Sequence, residues 1–296
     1  MGAEFVVEQR DRLGATEFAE DFVGRGRPVL VKGALAGSSA LTRWTLQYLR
    51  ERADVREVLL KTLYESSIDV VRKPLDDYLS ELQSHEVRSS SGGTDPQPAY
   101  LHDIPLTALL PKAADDLEHF PADYFPAWYR GNWANFAQVF LGPAHSLTPL
   151  HFDCLLTHNL FFQIKGRKRF ILLPAEQLEF CYRHSWRWCQ VDAEKPDLER
   201  FPLYAKVQPI QVIVEPGDCL YFPPGTLHHV RSLDCALSFN VDWHTRDSAA
   251  RGVLALFDGM PIKNVYYNAV IALGMWAGVP AEAMFGYYRS YLDYVS

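Results

Sequence analysis

Cysteine is scarce in this chain: five residues in 296 (Cys154, Cys181, Cys189, Cys219 and Cys235), odd in number and without a CxxC pair. That pattern argues against a disulfide framework, and no charged-then-apolar leader stands at the N-terminus, so a reducing cytoplasm is the expected compartment. Basic residues are also in the minority, with 29 Lys and Arg against 36 Asp and Glu, for a net charge of -7. Broad nucleic-acid binding is driven by Lys and Arg displacing counterions, so it is not expected here. Long apolar runs are missing as well. The nearest approach, residues 265–288, is broken by Asn268, Pro280 and Glu282, whereas a spanning helix needs about 20 apolar residues. This stretch reads as a buried or subunit-facing helix pair, and no membrane association is expected. Internal repeats are absent too.

What remains is ordinary globular composition, 48% hydrophobic and 22% charged, enough for one main domain with appendages. Residues 1–130 read as a helical N-terminal region with one strand near 28–33 that joins a barrel. A capped helix is expected over 16–23, another from Thr45 carrying Leu46, Leu49 and Arg50, and a third from Pro74 through Leu82, where Leu75, Leu79 and Leu82 share a face. Residues 84–98 are rich in Ser, Gly and Pro and read as a loop, either a lid or a tolerated insertion. From about 131 to 247 the texture is that of short strands (136–141, 159–164, 169–173, 207–214, 219–222 and 236–242) separated by turns such as Gly142-Pro143, Lys165-Gly166 and Pro216-Gly217. That spacing suggests an antiparallel barrel or jelly roll. Residues 248–296 return to helix and carry Tyr266, Tyr267, Trp276, Phe285, Tyr287, Tyr288, Tyr291 and Tyr294.

The chemistry-bearing segment is Thr148-Pro149-Leu150-His151-Phe152-Asp153. Side chains two apart on an extended strand point to one side, so His151 and Asp153 can share a metal. The turn-rich segment 223–230 offers a third ligand from its pair His228-His229. Two histidines and one carboxylate on one face of an octahedron, with positions left open, form the non-heme iron(II) oxygenase set. Adjacent strand residues face opposite ways, so only one histidine of the pair can join it. Lys168 alternates with Phe170 and Leu172, which places a charge on an apolar face and requires an anionic partner. The cluster of Lys165, Arg167, Lys168 and Arg169 also admits a plain solvated hairpin tip. Cys181, His184 and Cys189 match no structural zinc spacing. His145 and His158 lie near the metal segment, His158 at the entrance to the site or on the surface. Trp186-Arg187-Trp188 suits a substrate-contacting loop and ordinary packing equally.

The segments TPLHFD, NLFFQIKGRKRFILLP, VDAEKPDLERFP, EPGDCLYFPPGTLHHV and LSFNVDW resemble the JmjC or cupin-like branch of the iron(II)- and 2-oxoglutarate-dependent oxygenases. Within it they look most like the asparaginyl hydroxylases of the factor-inhibiting-HIF type. The likeness covers about residues 136–243 and, more loosely, RPVLVKGAL. It implies a double-stranded β-helix, a jelly roll with helical flanks. It further implies iron ligation by His151, Asp153 and His228, with Lys168 and Thr148 holding the distal carboxylate of 2-oxoglutarate and Asn159 and Asn240 beside the co-substrate and metal. The spacing CLLTHN after the HxD pair and the loop after the last histidine depart from that type where a substrate would pass.

The implied reaction consumes 2-oxoglutarate and O2, releases succinate and CO2, and hydroxylates a C–H bond. A peptide or protein side chain is the expected substrate. A small metabolite, natural product or tRNA base is the second enzyme reading, and a non-catalytic cupin-like binding or regulatory protein is the reading from another class. The aromatic C-terminal helices resemble an extension through which relatives form homodimers, and packing on their own barrel is the alternative.

Overall fold

The computed structural model describes residues 5–64, 67–90 and 96–295, with side chains for all of these except Ser90 and residues 289–295. The first 130 residues contribute β1 (Glu8–Arg10), β2 (Val29–Val31), β3 (Glu57–Leu63), β4 (Ile68–Pro74) and β5 (Tyr100–Pro105). Ten more strands follow: β6 (Ala137–Gly142), β7 (Leu147–His151), β8 (His158–Lys165), β9 (Lys168–Leu173), β10 (Arg183–His184), β11 (Trp188–Cys189), β12 (Ile210–Val214), β13 (Cys219–Phe222), β14 (Leu227–Ser232) and β15 (Ala236–Trp243). The larger sheet runs β1-β2-β13-β8-β15-β6-β5-β3-β4 and the smaller β10-β11-β7-β14-β9-β12. Apart from the parallel β1–β2 pair, neighbours are antiparallel. This is the expected jelly roll with flanking helices.

Hydrophobic layers on its two sides explain why the central runs of the larger sheet become strands buried on both faces. Between the sheets, Phe161, Phe170, Leu172, Leu220, Phe222 and Val230 pack together. On the outer side of the larger sheet, Phe162, Phe239 and Trp243 meet Phe18, Trp133 and Phe136 from the helical segments. Each fully buried aromatic of this kind contributes roughly 1.5–3 kcal/mol. The chain crosses from the larger sheet to the smaller at Lys165-Gly166, where Gly166 adopts φ 68° and a Cβ would lie 2.4 Å from the Cys235 carbonyl oxygen. The Gly217-Asp218 turn ties the N-terminal strand segment to the barrel, because Asp218 accepts from Lys32 Nζ (2.6 Å) and from the Gly33 amide (3.0 Å).

Several expectations need correction. The N-terminal region holds five strands rather than one, and three of them (β3, β4, β5) extend the larger sheet past β6. β4 is exposed along most of its length, as an edge strand is, and so lacks the alternation that marks a strand. The first helix winds as a single α-turn over Ala15–Glu17 and then more widely over Phe18–Val23, and its N-cap, Gly14, has no side chain to cap it. Pro74 closes β4, and the helix Leu75–Ser90 follows with Leu75, Leu79 and Leu82 buried as expected. Residues 84–90 therefore belong to a helix, while 91–95 of the expected loop lie outside the described residues. Thr45 caps the helix Leu46–Arg52 as read from sequence, accepting from the Tyr48 amide. At the C-terminus the helices Arg246–Leu254, Ile262–Ala277 and Ala281–Val295 replace the apolar run. No helix among the described residues is long and apolar enough to cross a membrane. The side chains of Tyr291 and Tyr294 lie outside the description.

Candidate metal centre

β7 and β14 are antiparallel neighbours, and their register sets His151 directly opposite His228. Opposed residues of such a pair project to one side, here into the barrel, and the two rings stand 4.1 Å apart between centroids. β7 ends at His151, so the HxD motif sits at the end of a strand and Asp153 lies just beyond it. Its carboxylate still turns inward, 3.6 Å from His228 Nε2. One ligand atom from each of His151, Asp153 and His228 lies within 4.8 Å of the others.

Backbone carbonyls choose the tautomers. His151 Nδ1 faces the Pro149 oxygen at 2.7 Å and His228 Nδ1 faces the Thr226 oxygen at 3.0 Å. A carbonyl only accepts, so each Nδ1 carries the proton and each Nε2 keeps its lone pair for a cation. Burial holds both rings neutral, lowering His151 well below its ordinary value with help from His228, and lowering His228 against the pull of Asp153. Trp188 stacks on His151 (4.8 Å) and Phe222 packs on His228 (4.7 Å), which fixes the ring planes. Neutral imidazoles, an ionisable carboxylate and locked orientations fit a first-row divalent ion. Asp153 Oδ2 also accepts from Asn159 Nδ2 at 3.1 Å.

His229 points the other way, as expected for the adjacent residue. It is buried, with Nε2 3.6 Å from Glu194 Oε2. Asp192, Glu194 and His229 also lie within metal-holding distance of one another. Yet Glu194 is engaged by Arg169 and by Arg231 (Nε at 2.5 Å), two positive charges that oppose a cation there.

Lys168 is 1% exposed, so the inward reading holds and the hairpin-tip reading does not. Its ammonium donates to Tyr100 Oη (2.7 Å) and Ser238 Oγ (2.8 Å) and sits 5.1–5.3 Å from the ring centres of Tyr100, Phe140 and Phe161. Among the described residues no carboxylate lies within ion-pair distance of it, and burial lowers its pKa to about 7. A buried ammonium with no adjacent carboxylate is able to take an anionic partner. Thr148 lines the same cavity as Lys168 and the three candidate ligands, as do Asn159 and Asn240.

Several contributors escaped the sequence reading. Asp242 accepts from both Asn159 Nδ2 (2.9 Å) and Asn240 Nδ2 (3.0 Å), which fixes both amide orientations and leaves their carbonyl oxygens without a protein partner. Burial, and then Asp153, raises its pKa well above the usual carboxylate range. Tyr100, His102 and Asp103 arrive on β5, a strand that no motif announced, and His102 Nε2 lies 3.2 Å from Thr148 Oγ1. Arg187 stands in the cavity wall against the Trp188 ring, so the Trp186-Arg187-Trp188 segment borders the site. His158 is neither at the entrance nor on the surface. It is buried in the outer core, with Nδ1 2.9 Å from Tyr221 Oη and its ring stacked on Trp243. His145 is exposed in a turn.

The family model for the cupin-like domain matches residues 15–249. The chain belongs to the cupin-like domain family. This cupin-like chain is 30% identical over 246 residues to the Jumonji C domain-containing protein 5 of Drosophila melanogaster, a match covering 80% of the chain and 59% of that relative. It is 29% identical over 242 residues to the lysine-specific demethylase JMJ30 of Arabidopsis thaliana, covering 80% and 54%. It is 28% identical over 262 residues to the tRNA wybutosine-synthesizing protein 5 of Gallus gallus, covering 80% and 76%. The chain thus spans between half and three fifths of the length of the first two relatives. The family match bears out the cupin-like and JmjC resemblance.

Proposed function

We propose that this cupin-like chain is an iron(II)- and 2-oxoglutarate-dependent oxygenase that hydroxylates a C–H bond of a peptide or protein side chain. The observation that carries the reading is the placement, in one cavity, of a His151–Asp153–His228 ligand set beside the buried amino group of Lys168. His151 Nε2, Asp153 and His228 Nε2 would hold the metal. Lys168 and Thr148 bind the distal carboxylate of 2-oxoglutarate, the ammonium as a point charge and the hydroxyl as a second polar contact. Asn159 and Asn240 present their free carbonyl oxygens to the groups beside the metal. Iron(II), when bound, supplies the activation of O2 that couples decarboxylation of 2-oxoglutarate to hydroxylation, releasing succinate and CO2. The protein keeps that chemistry away from bulk water by lining the cavity with Phe140, Phe161, Phe170 and Phe222.

A protein substrate is favoured by the HxD and GTLHH segments, which we place nearest the asparaginyl hydroxylases, and by the lysine-directed name of the Arabidopsis relative. The tRNA-directed name of the Gallus relative supports a second reading, the same chemistry on a modified tRNA base or small metabolite. The third, a non-catalytic binder, is disfavoured by the completeness of the ligand set. We assign residues 131–247 to the catalytic core, 1–130 to the N-terminal region and 248–296 to a helical extension that pairs with a second copy.

The test is anaerobic titration of the protein with iron(II) and 2-oxoglutarate, followed by O2. A weak visible charge-transfer band and succinate release stimulated by a peptide pool are expected. A band with stimulation by tRNA or metabolites instead selects the second reading, and no band with either would leave only the binder.

A further inference from the structure

The Asp153 carboxylate reaches the two histidines from a part of the chain that no strand ladder fixes. β7 ends at His151, the Phe152 amide still bonds the Arg187 carbonyl at 3.2 Å, and β8 begins only at His158. Between them the chain turns tightly, with the Leu156 amide on the Asp153 carbonyl at 2.9 Å. Leu156 itself adopts φ 57°, a left-handed conformation unfavourable for a residue with a branched side chain. Such a conformation persists only where the surrounding structure over-determines it.

Here the surroundings come from outside the barrel. Trp186 Nε1 donates to the Cys154 carbonyl at 2.8 Å. The helix Ile262–Ala277 supplies two more donors, Asn264 Nδ2 to the same carbonyl at 3.4 Å and Asn268 Nδ2 to the Leu155 carbonyl at 3.2 Å. The two asparagines lie four apart, hence on one face of the helix, and are 4% and 0% exposed. Asparagine is a weak helix former, and a buried amide is costly unless hydrogen-bonded, so the helix they sit in explains neither residue. Asn268 is fixed at its other end as well, where Oδ1 faces His244 Nε2 at 3.1 Å. The helix Arg246–Leu254 makes room for it with Gly252, at which a Cβ would lie 2.3 Å from Asn268 Nδ2. The residue that interrupts the apolar run of the sequence thereby grips the main chain two residues beyond a candidate metal ligand.

We propose that Asn264 and Asn268 are positioning residues of the metal centre. They hold the Cys154 and Leu155 carbonyls, and through them the turn that presents the Asp153 carboxylate to His151 and His228. The histidine rings are oriented by the Pro149 and Thr226 carbonyls of their own segments, so the asparagines act on the carboxylate alone. The C-terminal helices are therefore part of what builds the ligand set, which the barrel by itself leaves incomplete. This deepens the oxygenase reading and rests on its metal site.

The experiment measures cobalt(II), a first-row divalent probe for such a site, binding to the whole protein by equilibrium dialysis and by its visible ligand-field spectrum. Each variant is held at a temperature where circular dichroism shows it folded. Asn268→Leu keeps the volume and removes the donor. It is expected to bind cobalt(II) about tenfold more weakly, the lower end for groups that orient metal ligands, with an altered spectrum. Asn264→Leu, which loses a longer bond, should shift both in the same direction by less. Leu79→Ala truncates the core at a position that lines no part of the cavity, and should lose stability with affinity and spectrum unchanged. Asp153→Ala should weaken binding, and adding Asn268→Leu to it should weaken it no further, because the amide acts only through that carboxylate. Should Asn268→Leu not fold, Asn264→Leu carries the same cycle. Unchanged cobalt(II) binding in Asn268→Leu, a loss matched by Leu79→Ala, or an equal further loss on the Asp153→Ala background overturns the positioning role and leaves the oxygenase reading standing. A wild type that binds no cobalt(II) overturns both.

Discussion

His151 and His228 face each other across β7 and β14, paired in register and 4.1 Å apart between ring centres. Each ring is turned by a backbone carbonyl two residues before it in the chain, Pro149 in one case and Thr226 in the other, so the two Nε2 atoms are set by the main chain. A metal site built this way needs no rearrangement of its histidines on loading.

The two adjacent histidines of β14 should therefore behave oppositely. His228→Ala is expected to weaken iron(II) affinity on the order of 100-fold or more, the scale at which losing even an outer partner begins to be felt. His229→Ala should keep the anaerobic charge-transfer band and lose about 1–2 kcal/mol of stability in urea, because its burial is structural. Equal loss of the band in both would contradict the assignment.

Lys168 sets a stability cost against binding. Its pKa is about 7 in the folded protein and near 10.5 when unfolded. Between those values the unfolded chain holds more protons, so this group makes stability rise with pH, by at most about 1.4 kcal/mol per pH unit. The destabilisation is complete below pH 7 and vanishes towards pH 10.5. Lys168→Met should therefore melt higher than wild type at pH 7 without co-substrate, with the gap closing as pH rises. The same variant should bind 2-oxoglutarate at least about tenfold more weakly, since a charged partner is lost.

Trp188 stacks on His151 from β11 and is only half-buried, so its removal tests ring orientation more than core packing. Trp188→Ala is expected to lower metal affinity about tenfold, in the range seen for groups that orient metal ligands. Equilibrium dialysis against iron(II) or manganese(II) under anaerobic conditions measures it, and an unchanged affinity would remove the orienting role.

The helical extension exposes Phe257 (86%), Ile262 (79%), Leu273 (61%) and Trp276 (58%). We propose that these exposed apolar side chains form the surface on which a second copy docks. Sedimentation at micromolar concentration should give a dimer, converted to monomer by Ile262→Asp with Trp276→Asp. Wild type sedimenting as a monomer would set the pairing aside.

Reading along the chain recovers what depends on neighbours in sequence. The short apolar runs from 137 onward, the turns between them and the alternation of Lys168 with Phe170 and Leu172 are local, and the structure forms strands there with Lys168 buried; Asp153 turns inward from beyond the strand end. His229 facing away from His228 follows from the two-residue period alone. Long-range pairing decided the remainder. β3, β4 and β5 belong to the barrel only because β5 meets β6, and no period in β4 reveals it. Asp103 reaches His102 only because a bulge overrides the alternation that sequence reasoning assumes, and His158 is a core residue only because Tyr221 and Trp243 close over it. Periodicity tells which way a side chain points, but the partner it meets there is chosen by the register between strands far apart in the chain.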